Sequence, residues 1–538
     1  MNLYTTMPDL PSELDGVPGT KTFNDGRSWR VPNNTLPLLG GVSPRLTVQA
    51  ARDAVAELPL LSPDARNRMT PHQLMLIGGA LRAVAHHFWA PAGSGKTLAA
   101  LAANAQHASQ GPLVVVCPAG VVPGWERQIL RWTLMDPRPL SGQTPHPLSR
   151  EKGAVYIVGW EVLKFWAREI IKLRPVALLL DETHMLRRPK HVRAIQQRDG
   201  TVKFESLENT LAAAIAVSNK AQRRYSLTAS PIPGRVADLW VQLNLVEPWQ
   251  WGSFFTFAQR YAGATHNGYG WEYKGVSCAE ELRARLAAVR TYISLSETHK
   301  HLPPKRREVV RLPLNQQDKP MGMKRELRSA ARSGDPLTFL EALLMEAASR
   351  KETATKKRVV AAMLSGQKVV VFTARRKHCE HLAETIKKAL GRHCPRADVF
   401  WGHGEQEVSA REKTRQEYMA HPGPCVLVGT GDAWGVGIDL QDTDLCLMVM
   451  LPWTPDKVIQ WEGRFHRLGQ TRPVLISYII CDGTADEQVA DTVVEKLEDI
   501  VEVQEEAELS HVQDALTGID TSPEGRIALL QRISQRQL

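Results

Sequence analysis

The stretch Trp89–Ala102, WAPAGSGKTLAALA, passes from small turn-forming residues into an Ala- and Leu-rich run of helical character. Gly93 and Gly95 leave room for backbone N–H groups to close around an anion, and the helical run that follows Gly95-Lys96-Thr97 would add the favourable end of its dipole. This is the layout of a phosphate-binding loop, G-x-x-x-x-G-K-[ST], in which Ser94 lies inside the loop, Lys96 reaches the β- and γ-phosphates and Thr97 ligates Mg²⁺. One position departs from the pattern, because Ala90 stands where the first glycine belongs. Alanine is the smallest side chain that could replace it, so the exchange is expected to be tolerated.

A strand feeding such a loop and helix is one unit of a parallel α/β sheet. The apolar runs GPLVVVCP, GAVYIVGW, VALLLDE and RRYSLTAS follow, separated by helical segments. Their hydrophobicity is continuous where a half-buried strand would alternate, which implies strands covered on both faces. A second series, QKVVVFTAR, RADVFWG, PCVLVGT, TDLCLMVML and PVLISYII, repeats the pattern. The chain therefore reads as two α/β lobes. Expected boundaries are an extended N-terminal segment at 1–45, a first lobe at 46–235, a helical insertion and basic linker at 236–366, a second lobe at 367–483 and an acidic helical tail at 484–538. Within the first segment, KTFNDGRSWRV predicts a small hairpin turning at Asn24-Asp25-Gly26. The basic stretch past Pro303-Pro304 is expected to be helical.

The 538 residues are ordinary in composition for a globular protein of two or three domains, at 43% hydrophobic and 23% charged. The formal net charge of +10 favours a polyanionic partner. The excess is local: between Lys305 and Lys377 there are 18 Lys/Arg against 7 Asp/Glu. Seven cysteines are scattered without a C-x-x-C pair, which argues against a disulfide framework or a zinc ribbon. The acidic start MNLYTTMPDLPSELDG is no secretory signal, and the apolar run near Leu445–Leu451 is too short to span a bilayer. A reducing, cytoplasmic compartment and no membrane partner are expected.

The phosphate loop needs partners. VALLLDETH delivers Asp181 and Glu182 at the carboxyl end of a buried strand, where ligands bind in open α/β sheets. Asp181 is expected on the Mg²⁺ side, with Glu182 orienting and deprotonating the attacking water. Charge moving onto the γ-phosphate calls for a guanidinium, and Arg464 and Arg467, three apart on what reads as one helical face, can supply it from the second lobe. Two other patterns fail their context. VGTGDAWGVG has the glycine spacing of a dinucleotide loop but runs into IDLQDTD, not a helix, and KHCEH (His378, Cys379, His381) matches no standard zinc spacing.

Asp181-Glu182-Thr183-His184 resembles the DEAH-type box of superfamily 2 nucleic-acid motors, and the other motifs follow in that superfamily's order. TPHQ, ending at Gln73, resembles the element that contacts adenine. VVVCPAGVVPGWERQI is similar to motif Ia of the SNF2 (Swi2/Snf2) family, LTASPIPGRVADLWVQLNLVEP to its motif III with Ala229-Ser230 in place of Gly-Thr, and KVVVFTARRKHCEHLAETI to motif IV. GVGIDLQDTDLCLMVMLPWTPDKVIQWEGRFHRLGQTRPV resembles motifs V and VI joined as in that family, with Trp461 and Gly463 departing from the usual Ala-Glu-Asp-Arg. LPPKRREVVRLPL and the short hairpin are similar to the compact branch that includes annealing helicases.

The resemblance spans roughly 65–490. It implies two tandem RecA-like lobes, parallel sheets flanked by helices, that bind Mg-ATP between them and move along double-stranded DNA. It adds Gly437 and Asp439 to the nucleotide site. It places Pro118, Ala119 and Gly120, Thr373 and Arg375, and Gly402 and His403 on DNA, gripping phosphates with little sequence preference. Two alternatives stay open at this point: a strand-separating helicase or restriction-type motor, and a DNA-binding scaffold whose ATP site turns over weakly. No targeting module is evident, so a protein partner could supply targeting, and the compact chain suggests a bacterial or phage protein.

Overall fold

The computed structural model describes residues 46–186 apart from 92, 210–298 apart from 249, and 302–504 apart from 320–322, 333–335, 374, 435–439, 453 and 467–469. It also describes 4–7, 17–18, 20–22, 29–32, 34–35, 194–196 and 202–204. The chain divides into two compact units, Met1–Thr298 with Asp499–Glu505, and His299–Glu498 with Glu506–Leu538.

In the first unit the apolar runs are strands buried along their length, among them Leu113–Cys117, Ala154–Gly159 and Ala177–Asp181. They belong to a seven-stranded sheet in the order Arg290–Tyr292, Ala85–Trp89, Arg223–Thr228, Ala177–Asp181, Leu113–Cys117, Ala154–Gly159 and Asp136–Leu140. Every pairing in it is parallel. Val115 and Leu179 enter one core with helix Lys96–Ala108, while Val114, Val116, Leu178 and Leu180 enter a second core with helices Leu163–Leu173 and Thr210–Ser218. Alternate side chains thus leave water on opposite faces, each burial worth roughly 1.5–3 kcal/mol, and that is why the runs show no polar alternation.

Pairing register then decides what stands at the sheet's edge. Leu227 lies opposite Asp181 and Thr228 opposite Trp89, so three strands end together at the acidic pair, the threonine and the phosphate loop.

The N-terminal hairpin forms, with Lys21–Thr22 antiparallel to Trp29–Pro32, and Tyr4–Met7 covers the other side of that strand. Its turn at Asn24-Asp25-Gly26 lies outside the described residues. Asn34 is buried and accepts from Arg285 Nε and Nη2 at 3.1 and 2.8 Å, tying this segment to helix Ala279–Val289.

The second unit holds a six-stranded parallel sheet in the order Lys305–Leu312, Val474–Cys481, Leu445–Met448, Val369–Thr373, Cys425–Thr430 and Asp398–Gly402. The stretch from 236 to 366 is therefore not a separate helical insertion. Arg290–Tyr292 completes the first sheet, and Lys305–Leu312 forms the edge of the second. The basic run is a strand, not a helix: eight consecutive residues pair with Val474–Cys481, and Val309-Val310 favour the pleated form. Charge content had masked strand propensity. The tail begins as the expected acidic helix, Ala485–Gln504.

One ionic cluster fixes that edge strand. Glu462, 1% exposed, accepts from Lys305 Nζ at 2.9 Å and from Arg307 Nε and Nη2 at 2.8 and 2.6 Å, and Tyr478 also donates to it. Burial alone would push this carboxyl up, but the two cations hold it below the usual carboxylate range. Removing one partner strands the others, so E462Q is expected to destabilise the second unit by about 3–5 kcal/mol, read as a lower denaturation midpoint in urea.

Candidate active site

Helix Lys96–Ala108 starts at Gly95, whose φ is 81°, and Gly93 lies at 80°. Both sit in the left-handed region that glycine adopts without steric strain. A side chain at Gly95 would also lie 2.0 Å from the Gln73 amide nitrogen. Gln73 is held there by a capping box: its backbone N–H donates to Thr70 Oγ1 at 3.4 Å and its Oε1 accepts from Thr70 N at 3.0 Å. His72 Nε2 sits 3.1 Å from the Ser94 carbonyl oxygen. The TPHQ element therefore packs directly on the phosphate loop.

Lys96 Nζ donates to the carbonyls of Ala90 at 2.6 Å and Pro91 at 2.9 Å. Ala90 is 3% exposed, and its N–H donates to Thr228 O at 3.2 Å. Among the described residues only Leu60, Arg174, Glu182 and Cys278 are non-glycines at positive φ, so the backbone at Ala90 does not require glycine.

Asp181 is buried at the end of its strand. Its Oδ2 accepts from Trp125 Nε1 at 2.8 Å, its Oδ1 from the Glu182 N–H at 3.0 Å, and its main-chain oxygen from Trp160 Nε1 at 2.9 Å. Burial raises the Asp181 carboxyl above the usual carboxylate range and the Glu182 charge raises it further, against the indole bond and the pull of Lys96. Glu182 stands at φ 52°, a left-handed position uncommon for glutamate, with its N–H bonded to Leu227 O at 2.8 Å.

The Glu182 carboxylate lies 3.1 Å from His184 Nδ1, which is itself 2.9 Å from Thr228 Oγ1. Thr228 Oγ1 also accepts from Ser230 N–H at 3.0 Å, and Thr183 donates to Gln242, whose amide donates to Pro231 O at 2.6 Å. The acidic loop and the TASP loop are one hydrogen-bonded assembly. Neither task is visible from the motifs that contain Trp125 and His184, since an indole bonded to an acid 56 positions away leaves no local spacing signal.

Pro118, Ala119 and Gly120 follow strand Leu113–Cys117. Ala119 and Gly120 are exposed, and Ala119 N–H donates to the Glu161 carboxylate at 3.2 Å. In the second unit Arg375 is half-buried and pairs with Glu341 at 3.0 Å. The Thr373 side chain is turned inward, its hydroxyl 2.8 Å from His378 Nδ1 and 3.1 Å from Met450 Sδ. His403 is 6% exposed and its Nε2 lies 3.1 Å from Glu380. A side chain at Gly402 would lie 2.7 Å from the Trp434 ring, so packing accounts for that glycine.

Arg464 does not continue a helical face. Helix Pro455–Glu462 closes at Gly463, and Arg464 sits in the following turn, 6% exposed, with its carbonyl accepting from Leu440 N–H at 3.0 Å. Arg467, Gly437 and Asp439 lie outside the described residues.

The raised Asp181 carboxyl carries a sign. An acid whose folded pKa exceeds its unfolded value withdraws stability as pH climbs from the ordinary carboxylate range. In magnesium-free buffer D181N is therefore expected to melt above the native protein at pH 8, with the gap closing at pH 5, as followed by thermal unfolding. W125F removes the N–H donor and is expected to push the Asp181 carboxyl higher still, moving the acid limb of any magnesium-dependent activity to higher pH.

Against known proteins, a SNF2-related domain matches residues 90–382 and a helicase conserved C-terminal domain matches 354–469. The chain is 26% identical over 420 residues to a "SWI/SNF-related matrix-associated actin-dependent regulator of chromatin subfamily A-like protein 1" of Xenopus tropicalis, covering 75% of this chain and 41% of that protein. It is 24% identical over 460 residues to a "DNA annealing helicase and endonuclease ZRANB3" of Mus musculus, covering 81% of this chain and 40% of that protein. The chain thus spans well under half the length of these relatives. A "Sulfolobus solfataricus SWI2/SNF2 ATPase core in complex with dsDNA" aligns at 18% identity and a TM-score of 0.39, over 89% of this chain and 98% of that one. With the SNF2-related domain alone matching more than half of its residues, the chain belongs to the SNF2-related family.

Proposed function

We propose that the chain is a DNA-dependent ATPase that moves along duplex DNA without parting its strands. The observation that carries this reading is the register of the first sheet, which brings the phosphate loop, the Asp181-Glu182 pair and Thr228 to one edge in a chain of the SNF2-related family. The relatives whose names describe regulation of chromatin and DNA annealing support the DNA substrate. Among the described residues no helix is long and apolar enough to cross a membrane.

The residues fit magnesium-bound ATP. Gly93 and Gly95 take the left-handed backbone that an anion nest uses, and Lys96 curls over the loop onto the Ala90 and Pro91 carbonyls. Asp181 is a buried acid whose carboxyl is raised, the kind of group a divalent cation restores to its ionised form. Thr97 and Asp181 would hold Mg²⁺, and Gln73 would border the nucleotide from its place on the loop. Bound Mg-ATP supplies the phosphoanhydride whose hydrolysis drives movement. Glu182 accepts the proton of the attacking water, while His184 holds that carboxylate and links it to the TASP loop through Thr228. The second unit's Arg464 and Arg467 are assigned to turnover through the charge they keep at any working pH. On DNA, the exposed Ala119-Gly120 turn and Arg375 are the better-placed contacts; Thr373 and His403 act behind the surface.

Long duplex DNA is expected to stimulate ATP hydrolysis more than single strands do, and a triplex-forming strand should be displaced in an ATP-dependent manner. K96A and E182Q are expected to abolish both activities, and R464A to lower kcat while nucleotide binding persists. ATP hydrolysis of equal rate with and without DNA overturns the reading. Unwinding of a forked duplex would replace it with a strand-separating helicase, and DNA binding that responds to ATP with negligible turnover would replace it with a switch.

A further inference from the structure

Helices Glu352–Leu364 and Arg376–His393 lie together on one face of the second sheet. Their inner sides are committed to the core through Val359, Ala362 and Met363 on one and Leu382, Ile386 and Leu390 on the other. His381 Nε2 pairs with Glu352 at 3.0 Å near the start of both helices. Beyond that pair their outer sides diverge into a groove of about 620 Å³. Lys356, Lys357, Lys388, Arg392 and His393 line it, Leu364 is exposed at its far end, and no acidic residue belongs to its wall.

Neither helix chemistry nor ion pairing accounts for Lys356 and Lys357. Among the described residues, only Lys388 of the five has an acidic partner, Glu384 at 3.5 Å, with both side chains well exposed. Some surface cations of this unit are paired at helical spacing, as in Arg376 with Glu380 and Arg415 with Glu412. Arg392 and His393 suit the carboxyl end of a helix dipole, but Lys356 and Lys357 sit in the amino-terminal half of theirs, where the dipole gives a cation no help. Lys388 and Arg392 are like charges four residues apart, an arrangement that disfavours a helix by itself.

The charges are also spread along a line. Lys388 and Arg392 are separated by about 6 Å of helix axis, and Lys356 and Lys357 of the neighbouring helix line the same groove. A small anion would need a focus; a row fits a linear polyanion. The groove stands apart from the residues already discussed. Helix Arg376–His393 leaves the carboxyl end of strand Val369–Thr373 and runs back beside it, so its last turns point away from Arg375.

We infer that this groove binds the phosphate backbone of a nucleic-acid strand, a hold on DNA separate from the motif residues. This rests on the DNA reading above, and the test separates the two. In the full chain, K356E/K388E/R392E is compared with the native protein by fluorescence anisotropy on labelled duplex and single-stranded DNA across a salt series. Affinity should fall at least about tenfold on both, and the log–log salt slope should become shallower by about 2–3, one for each phosphate that is no longer neutralised. kcat for ATP at saturating DNA should stay within about twofold of native, because none of the three residues belongs to the nucleotide site. K356Q/K388Q/R392Q, checked by its thermal melt, gives the same direction of change if charge reversal disturbs folding. Unchanged affinity and slope in a native-like variant, while the native protein binds DNA, overturn the groove and leave the motor reading intact. Loss of binding to a synthetic acidic peptide with DNA binding untouched overturns it in favour of a protein partner. No DNA binding by the native protein overturns both.

Discussion

A carboxylate at the end of a buried strand is costly to hold in its charged form, and the first unit is organised around that cost at Asp181. The indole of Trp125 and the next residue's N–H supply bonds to its two oxygens, which requires helix Val122–Trp132 to pack against the sheet with that indole pointing at the strand's end. The turn that presents the Glu182 N–H is left-handed, and this turn sends the Glu182 carboxylate towards His184. Solvating one acid thereby fixes the direction of the other. The parallel register completes the arrangement, because Leu227 and Thr228 can meet the acidic loop only if three strands end together.

The two units treat a buried acid in opposite ways. Glu462 is neutralised on the spot by Lys305 and Arg307, and its carboxyl is drawn below the usual range. Asp181 is given N–H donors and only the more distant attraction of Lys96, and its carboxyl rises. The first arrangement is complete within the fold and reads as structural. The second keeps an acid responsive to whatever cation arrives, as a working site demands.

Much of this was legible from residue order. Continuous apolar runs marked strands covered on both faces, and the small residues of Gly93–Gly95 marked the loop, because both follow from local chemistry. Ala90 lies outside the left-handed region, whereas Gly93 and Gly95 lie within it, so its backbone asks for no glycine. What escaped were features set by distant pairing. Lys305–Leu312 looked helical because its charges hid Val309-Val310 and because its partner strand lies some 170 residues downstream. The shared helical face of Arg464 and Arg467 rested on spacing alone, and spacing does not report that the helix stops at Gly463. Thr373 and His403 sat in motifs that suggested exposure, yet a threonine at a strand's end and a histidine beside a helical glutamate find partners within their own unit.

The edge strand Lys305–Leu312 also decides where the chain can be divided. A fragment opening near residue 367, where the apolar runs of the second half begin, would bare the hydrogen-bonding edge of Val474–Cys481 and leave Glu462 buried without its cations. Such an open edge invites pairing between copies. The chain leaves one sheet at Tyr292 and enters the other at Lys305, and a cut between those residues spares both sheets. For anyone dissecting the protein into halves, or for a recombination event joining either half to a new neighbour, the serviceable seam lies there, well ahead of the apolar strands that first announce the second lobe.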